Sequence, residues 1–466
     1  VRWGDKVNAD RDRALEFEEI LGYHLEQAHR YLSELGPLDE AGMAVGLDAA
    51  TRLTRAGRRA FARADFHAAV NLFERAAALA PTLHEARLSV LPELGEALFE
   101  LGDFARARAI IDEAVDAAQR IGETRLAASA RLRRMFVRLY GGEPGDWGSE
   151  ALRAAEEAIT VLQPLQAHDE LAIAWRLTAL VHGVAGRYAQ ANGATLHYME
   201  HARRAGNKRL LARSGLGLAN GLLPGPTPVP EGIAQCQRII AEVQHDRHVQ
   251  SIVTCIVAQL HAMNGEFDTA RTLYRRGRAV LRELGKGIVA AQTGVDLARV
   301  ELLAGDLELA EREARADAEY LSQTGESYFY STLTAVLARV VRARGRDSEA
   351  LALTAAAQQA AAADDVDAQI QWRSVRAPIL ARSGDLAAAE ALVREALQLA
   401  EGAEVPLLLA EAHHDLAEVL AIAGRDAEAR CEYVRAAEIW QAKGDRVSAQ
   451  RARRSADAAP ASGQLE

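Results

Sequence analysis

Apolar residues recur at helical spacing along most of this chain, in stripes that are interrupted by short turns. One such stripe, near the middle of the chain, is Ile252, Ile256, Leu260 and Met263. Gly265 interrupts it, and a second stripe runs from Ala270 to Leu284. Because residues three or four positions apart share one face of a helix, each stripe predicts an amphipathic helix. The segment therefore predicts two helices joined by a turn at Gly265, with Gly285 ending the second helix.

The same turn recurs along the chain, and each time an alanine follows it five positions later. The pairs are Ala64 and Ala69, Gly102 and Ala107, Gly186 and Ala191, Gly265 and Ala270, Gly305 and Ala310, Gly345 and Ala350, Gly384 and Ala389, and Gly424 and Ala429, with a ninth, near Ala234, degraded. From Gly265 to Gly424 the turns recur every 39 or 40 residues. A fixed period of this size is typical of stacked helical hairpins, each too small to bury its own apolar face. We therefore predict an all-α fold, a right-handed α-solenoid of about ten helical hairpins.

The two residues of each pair have different predicted roles. The turn residue lies where the backbone reverses, a position that favours a residue without a Cβ atom. The alanine lies where the second helix crosses the first, and a larger side chain there would push the helices apart. We therefore expect Ala270, Ala310, Ala350 and Ala389 to be buried within their hairpins.

The repeat also predicts the domain organisation. Residues 1–45 are expected to form a helical junction, residues 46–455 the tetratricopeptide-like solenoid, and residues 456–466, rich in alanine, serine, proline and glycine, a disordered tail. Two enlarged turns interrupt the rhythm, at residues 141–147 and at the proline-rich residues 225–230. The later period of about 40 residues exceeds the tetratricopeptide period of about 34, so longer helices or linkers are expected.

Composition supports helices and narrows the partners. Hydrophobic residues make up 49% of the chain but aromatic residues only 5%, and small side chains let helices approach closely. No stretch alternates with β-branched residues for long enough to predict a sheet. The net charge of −10 argues against nucleic acid as a direct partner, and no run of 18 apolar residues predicts a membrane span.

Cysteine usage bears on the compartment. Cys236, Cys255 and Cys431 are odd in number and widely spaced, which is typical of free core thiols in a reducing compartment. We therefore expect a cytoplasmic protein. The chain begins with Val1 and shows no signal-peptide pattern. A valine start fits either a fragment of a longer polypeptide or an alternative start codon.

Motifs that carry chemistry are missing from the sequence. It contains no GxxxxGK[ST] phosphate loop and no GxSxG nucleophile elbow. His197 and His201 are one helical turn apart, a spacing that can chelate a metal, but no third ligand accompanies them. Gly215-x-Gly217 nearly matches a dinucleotide loop, but lacks the third glycine and a preceding strand. We expect no enzyme activity, no cofactor and no metal.

A cluster of basic and aromatic residues is the candidate partner-binding groove. Its members are Arg131, Arg134, Arg138, Trp147, Trp175, Arg176 and His182. Such a groove would suit an acidic peptide or a phosphorylated effector, through charge-assisted hydrogen bonds and stacking. Two alternatives stay open: the arginines extend over an outward apolar surface, and Trp147 packs beneath its own loop.

The first repeats and the residues before them resemble a known family. Gly57, Ala69, Phe73, Ala76 and Pro81 stand at tetratricopeptide spacing. Residues 17–38, FEEILGYHLEQAHRYLSELGPL, and residues 56–66, AGRRAFARADF, resemble the region that follows the ATPase module in large bacterial regulators. Those regulators join an adenylate/guanylate cyclase or a DNA-binding domain to an AAA/STAND-type ATPase and a tetratricopeptide-like array. Maltose-activator (MalT) type regulators are a more distant relation.

The resemblance implies a sensor arm attached to an ATP-dependent switch. The cyclase and phosphate-loop modules of that family are not part of this sequence, so no catalytic residue carries over. The leading hypothesis is a non-catalytic solenoid that binds a protein, peptide or small effector and regulates an ATPase or cyclase module in cis or in trans. The alternatives are a stand-alone adaptor that scaffolds a complex and an enzyme with an unrecognised site.

Overall fold

The computed structural model describes residues 17–143 and 145–459, and these residues form α-helices and no β-strand. The helices are α1 (Glu18–Leu35), α2 (Glu40–Ala62), α3 (Phe66–Leu79), α4 (Glu85–Leu88), α5 (Leu91–Glu100), α6 (Phe104–Ile121), α7 (Thr124–Tyr140), α8 (Trp147–Leu162), α9 (His168–Val184), α10 (Tyr188–Arg204), α11 (Lys208–Leu222), α12 (Val229–Glu242), α13 (Arg247–Met263), α14 (Phe267–Glu283), α15 (Gly287–Gln292), α16 (Gly294–Ala304), α17 (Leu307–Thr324), α18 (Tyr328–Ala343), α19 (Asp347–Ala360), α20 (Val366–Arg382), α21 (Leu386–Glu401), α22 (Pro406–Ile422), α23 (Asp426–Lys443) and α24 (Arg446–Ala458).

The chain divides into two units. The first runs to Arg138 and also takes in Glu156–Ala167, and the second comprises Leu139–Ala155 and the residues from His168 onward. The core of the first unit joins Leu53 of α2, Phe73 of α3 and Ile111 of α6.

The eight well-formed turns lie where the repeat predicts them. Every turn residue has a left-handed backbone, with φ between 61° at Ala64 and 95° at Gly384. An aspartate often follows, as at Asp306 and Asp385, and its carboxylate accepts a hydrogen bond from a backbone N–H of the second helix. That cap satisfies one of the free N–H groups at the start of the helix. Turn and cap together therefore restart the chain as a new helix.

The alanines that follow the turns are buried, as predicted. Ala270, Ala310, Ala350 and Ala389 have no exposed surface. In the first repeat, glycine has the matching role on the opposite helix. A Cβ atom on Gly57 of α2 would lie 2.6 Å from Cε1 of Phe73 on α3. Small residues at these positions let the two helices of a hairpin approach closely.

Packing within the second unit has two layers. The first helices of successive hairpins, α13, α16, α18, α20 and α22, contact one another in that order. The second helices pack on their own first helix and on the first helix of the next hairpin, as α17 does on α16 and α18. This arrangement builds one continuous core from units that could not each form a core alone.

Residues distant in sequence also meet within the second unit. Val229 of α12 and Trp440 of α23 belong to one buried apolar cluster with residues of α13 and α24. The backbone N–H of Glu404 donates to the carbonyl of Gly186 at 2.8 Å. The Lys443 ammonium, 2% exposed, donates to the carbonyls of Leu222, Gly225 and Thr227 at 2.6–2.8 Å. The last hairpins of this unit therefore pack on its earlier ones.

The structure differs from the sequence predictions at one cysteine and at the end of the last helix. Cys236 and Cys255 are buried, but Cys431 is exposed on α23, so its prediction as a core thiol was wrong. Helix α24 continues to Ala458, beyond the predicted start of the tail at residue 456, because Ala452 and Ala456 bury small side chains. Residues 460–466, like residues 1–16 of the junction, lie outside the described residues.

Candidate functional site

One face of the first helices in the second unit carries charge where a core helix normally carries apolar residues. Arg339 of α18 reaches past α20 to Asp415 of α22, with Nη1 2.8 Å from Oδ2. Arg342, one turn later, donates to the other oxygen of Asp415 at 3.1 Å. Gln371 and Ser374 of α20 are buried, and the side-chain oxygen of Gln371 lies 3.5 Å from a guanidinium nitrogen of Arg339. Charged side chains of α18 and α22 thus meet across α20.

Two arginines control the charge of Asp415, which has no exposed surface. Burial alone would raise the pKa of its carboxyl, but the guanidinium groups of Arg339 and Arg342 outweigh burial and lower that pKa. Arg342 also pairs with Glu418 at 3.1 Å, and Arg382 pairs with Glu418 at 2.6 Å. These ion pairs fix the spacing of α18 and α22, although Nε of Arg339 is buried without a hydrogen-bond partner.

A second group of charges on the same helices is less well compensated. We define the carboxylate cluster as Asp296, Asp365, Asp367 and Glu411. Arg299 of α16 donates to Asp367 of α20 at 3.1 Å. The guanidinium of Arg339 lies 3.5 Å from the carboxylate of Glu411, but it also forms a closer ion pair with Asp415.

Three carboxyls of this cluster, those of Asp296, Asp365 and Glu411, have a raised pKa. Burial is the main cause that raises the pKa of Asp296 to about 6, and the charge of Asp367 adds to it. Burial likewise raises the pKa of Glu411 and of Asp365. Oδ2 of Asp365 is buried without a hydrogen-bond partner, while its Oδ1 accepts from the backbone N–H of Ala368. The cluster therefore holds more acceptors than the surrounding protein supplies donors.

Tyrosine rings border the carboxylate cluster. Burial, with the charge of Asp367 next, raises the pKa of Tyr188 at the start of α10. Tyr328 at the start of α18 is likewise raised, chiefly by burial and then by the charge of Asp365. Its ring packs edge-on against Tyr140, with centroids 5.7 Å apart. Carboxylates bordered by aromatic rings form a surface that attracts a cation.

Sequence reasoning missed this site, although the sequence carries a signal for it. Helices α16, α18 and α22 are apolar on nearly all sides, yet each carries ionisable residues three or four positions apart. The spaced pairs are Asp296 and Arg299, Arg339 and Arg342, and Glu411 and Asp415. Charges at that spacing on an otherwise buried helix predict a shared polar face.

The residues of the predicted basic groove fall in both units. Of those in the first unit, Arg134 pairs with Asp112, its Nε 2.6 Å from Oδ1. Arg131 is partly exposed, whereas Arg138 is buried.

The remaining groove residues belong to the second unit. Trp147, at the start of α8, is 2% exposed, so it packs inside its unit as the alternative interpretation expected. On α9, Trp175 stacks on His197 of α10 at a centroid distance of 4.3 Å. Arg176 and His182 are partly exposed on the same helix, and burial lowers the pKa of His182.

Histidines do not form a metal site in the part of the chain that the structure describes. His201 meets His168 rather than His197, with their Nδ1 atoms 3.1 Å apart. No group of three or more potential ligands occurs among residues 17–143 and 145–459. The Gly215–Gly217 stretch lies inside the continuous helix α11. None of the described helices has both the length and the apolar composition needed to cross a membrane.

Comparison with known proteins bears on the fold. No protein-family description matches the chain, and no curated protein sequence matches it. A solved structure of a Rap protein complexed with Competence and Sporulation Factor is similar over 78% of this chain and 100% of its own, with 13% identity and a TM-score of 0.55. The fold is a tetratricopeptide-like α-solenoid.

Two further solved structures are similar at lower scores. Yeast Tom70 is 13% identical over 97% of this chain and 96% of its own, with a TM-score of 0.41. The apo form of the quorum sensor NprR from B. thuringiensis is 14% identical over 74% and 98%, also with a TM-score of 0.41.

Proposed function

We propose that the chain is a non-catalytic binding protein, and that the carboxylate cluster of its second unit takes a basic side chain of a peptide or protein partner. The observation that carries this proposal is the surplus of buried and partly buried carboxylates where α16, α20 and α22 meet. Four acids, Asp296, Asp365, Asp367 and Glu411, face one guanidinium, Arg299, that is not already held by Asp415. A buried carboxylate without a cation costs free energy, so the site favours a ligand that brings one.

The chemistry of the cluster selects the ligand. A guanidinium can donate two parallel hydrogen bonds to one carboxylate, so an arginine side chain fits this cluster. The faces of Tyr188 and Tyr328 would add attraction for the same cation. Binding would lower the raised pKa of Asp296 and Glu411, because a nearby positive charge favours their ionised forms. Affinity is therefore expected to fall as the pH drops below about 6, where Asp296 takes up a proton.

The proposal extends to a regulatory context. Residues 17–38 and 56–66 resemble the segment that follows the ATPase module in large bacterial regulators. On that basis the solenoid acts as the sensor arm of an ATP-dependent regulator, and ligand binding biases its packing against an ATPase or cyclase module. The basic residues predicted from the sequence are retained as separate proposed contacts for an acidic partner, Arg131 on the first unit and Arg176 on the second.

A stand-alone adaptor is the alternative. It would use the same binding face and need no ATPase module. The reading frame upstream of the codon for Val1 separates the two, because a phosphate loop encoded there supports the sensor arm. An uninterrupted non-coding sequence supports the adaptor.

The binding proposal is tested with an array of extended peptides in which arginine, lysine, glutamate or alanine occupies each position. We expect retention of arginine-containing and lysine-containing peptides by the parent chain. Asp367→Asn should raise the Kd of a retained peptide by about 30-fold, as for loss of one partner of a buried charge pair. The matched control is Glu308→Gln, an exposed carboxyl on α17. Equal affinity of the Asp367 and Glu308 variants would refute the site.

A further inference from the structure

Helix α1 of the first unit presents an apolar face that no described helix covers. Its inner side packs on α2, where Leu25 is buried and Gly22 touches Leu53. Large apolar residues are nevertheless exposed on its other sides and on the adjoining start of α2. They are Phe17, Ile20, Tyr23, Tyr31, Leu32, Leu35 and Met43, with exposed fractions from 40% to 86%. Such a concentration marks an interaction surface, because single exposed apolar residues are ordinary but contiguous patches are not.

The last described helix, α24, has a polar outer face, unlike α1. Helix α24 buries Ala449, Ala452 and Ala456 and exposes charged and polar residues. The exposed residues of α24 include Arg446, Gln450, Arg453, Arg454 and Asp457. A polar outer face of that kind is what keeps a terminal repeat of a solenoid soluble. Helix α1 has the opposite pattern, so its outer face calls for a partner.

The layout of the patch suits a second copy of the same helix. Ile20, Tyr23 and Tyr31 lie opposite the buried side of α1, and Ile20 and Tyr31 are three turns apart. If two α1 helices pair in antiparallel fashion about a two-fold axis near Leu25, Ile20 of one copy meets Tyr31 of the other. The contact between Ile20 and Tyr31 thereby occurs twice, as an isologous interface requires.

The size of the patch is also that of a stable interface. The seven residues together expose on the order of 700 Å², close to the roughly 800 Å² that each partner contributes to a standard protein–protein interface. Ionisable residues of both signs also border the patch: Glu19 and His24 are exposed on α1, and Arg30 pairs with Glu34 within the helix at 3.7 Å. The net charge of −10 per chain opposes self-association over long distances. Association through this patch must therefore be driven by apolar burial and strengthen as salt screens the repulsion.

We infer that the chain forms a homodimer through antiparallel pairing of helix α1. The interface is centred on Ile20, Tyr23 and Tyr31. It is separate from the carboxylate cluster and does not depend on the function proposed for that cluster.

Sedimentation velocity of the full chain between about 1 and 100 µM tests this inference, since interfaces of this size range down to micromolar affinity. The parent should dimerise, and higher salt should lower the Kd. Ile20→Glu should raise the Kd at least about 100-fold, because each interface would bury an unpaired carboxylate. Leu196→Glu is the matched control, since Leu196 is 61% exposed on α10 of the second unit. That variant should dimerise like the parent.

Disulfide trapping tests the register. In a Cys431→Ser background, Ile20→Cys and Tyr31→Cys variants are mixed under mild oxidation. Cross-linking should be faster in this mixture than with Tyr31→Cys and Leu196→Cys. A parent that stays monomeric to 100 µM overturns the inference, whether residues 1–16 or another protein covers the patch. Undiminished dimerisation of both Ile20→Glu and the milder Tyr31→Ser would overturn it as well.

Discussion

Ala310 shows how much a single small residue decides in this protein. It has no exposed surface where α17 crosses its neighbours. Ala310→Leu should lower the free energy of unfolding by roughly 1–3 kcal/mol, because the added carbons cannot be accommodated without moving a helix. Urea denaturation measures the effect. Ala316→Leu on the exposed side of the same helix is the control, and equal stability of the two variants would show that position 310 is not at a crossing.

Glu326 makes stability depend on pH. Its carboxylate accepts hydrogen bonds from the backbone N–H groups of Phe329 and Tyr330 at the start of α18, yet burial raises its pKa to about 8. Its unfolded pKa is about 4.3, so between these values the folded state holds a proton that the unfolded state has lost. The stabilising contribution is complete below about pH 4.3 and is lost as the pH rises through 8.

A glutamine at position 326 removes this dependence, because an amide keeps the shape of the protonated carboxyl and cannot ionise. At pH 5, the Glu326→Gln variant should melt at nearly the same temperature as the parent. At pH 9, it should melt at a higher temperature than the parent does at that pH. Differential scanning calorimetry at both pH values measures the difference. Glu319→Gln, at an exposed carboxyl on α17, should match the parent at both. A variant–parent difference that is the same at pH 5 and pH 9 would refute the assignment.

The sequence alone predicts the burial of the alanines that follow the turns. The turn residue and the alanine lie within one hairpin, so a local pattern is enough, and all four alanines named in the prediction are buried. Asp415 is different, since its partners Arg339 and Arg342 are 76 and 73 positions away in sequence. No local pattern could pair them, because the pairing depends on how three hairpins stack. Cys431 was misjudged for a related reason: helical face, not residue type, decides its exposure.

At the scale of elements, Lys443 joins the end of α23 to the turn that precedes α12. Leu222 at the end of α11 and Gly225 and Thr227 of the following turn offer three backbone carbonyls, and the ammonium donates to all of them. Burial lowers the pKa of Lys443 to about 8, so the lysine is retained there at a desolvation cost. This contact ties the end of α23 to the end of α11 and the turn after it, across 221 positions of sequence.

Lys443→Met should therefore destabilise the second unit. It leaves three buried carbonyls without a donor, and we expect a loss of about 2–4 kcal/mol in the free energy of unfolding. Lys208→Met, at an exposed position on α11, is the control. Hydrogen exchange should show the loss in α23 and α24 before other helices. Unchanged exchange in those two helices would contradict the role assigned to Lys443.

Element boundaries were largely readable from the sequence, because glycine turns and aspartate caps punctuate the chain at regular intervals. The contacts between distant hairpins were not. A solenoid sequence specifies neighbours one period apart, whereas the packing of α23 on α12 depends on the small rotation accumulated over several hairpins. The carboxylate cluster was not predicted, because it too depends on how distant hairpins pack. The spacing of the charges on α16, α18 and α22 was nevertheless present in the sequence.

At the scale of the whole molecule, the chain is expected to bind rather than catalyse. The sequence has no phosphate loop, and the described residues hold no cluster of metal ligands. We expect neither ATP hydrolysis nor cyclic nucleotide formation by the purified chain. A coupled phosphate-release assay and mass spectrometry of the nucleotide pool check this. Turnover that persists through repeated purification and scales with the chain would contradict the expectation.

The central claim is that Asp367 and its neighbours take a basic side chain of the partner. A double-mutant cycle by isothermal titration calorimetry tests it most directly, pairing Asp367→Asn with an alanine at the ligand's essential arginine. Because the two groups would form a desolvated charge pair, we expect a coupling energy of about 1.5 kcal/mol or more. The Glu308→Gln variant should show no coupling with the same arginine. A coupling energy within error of zero at Asp367 would contradict the account.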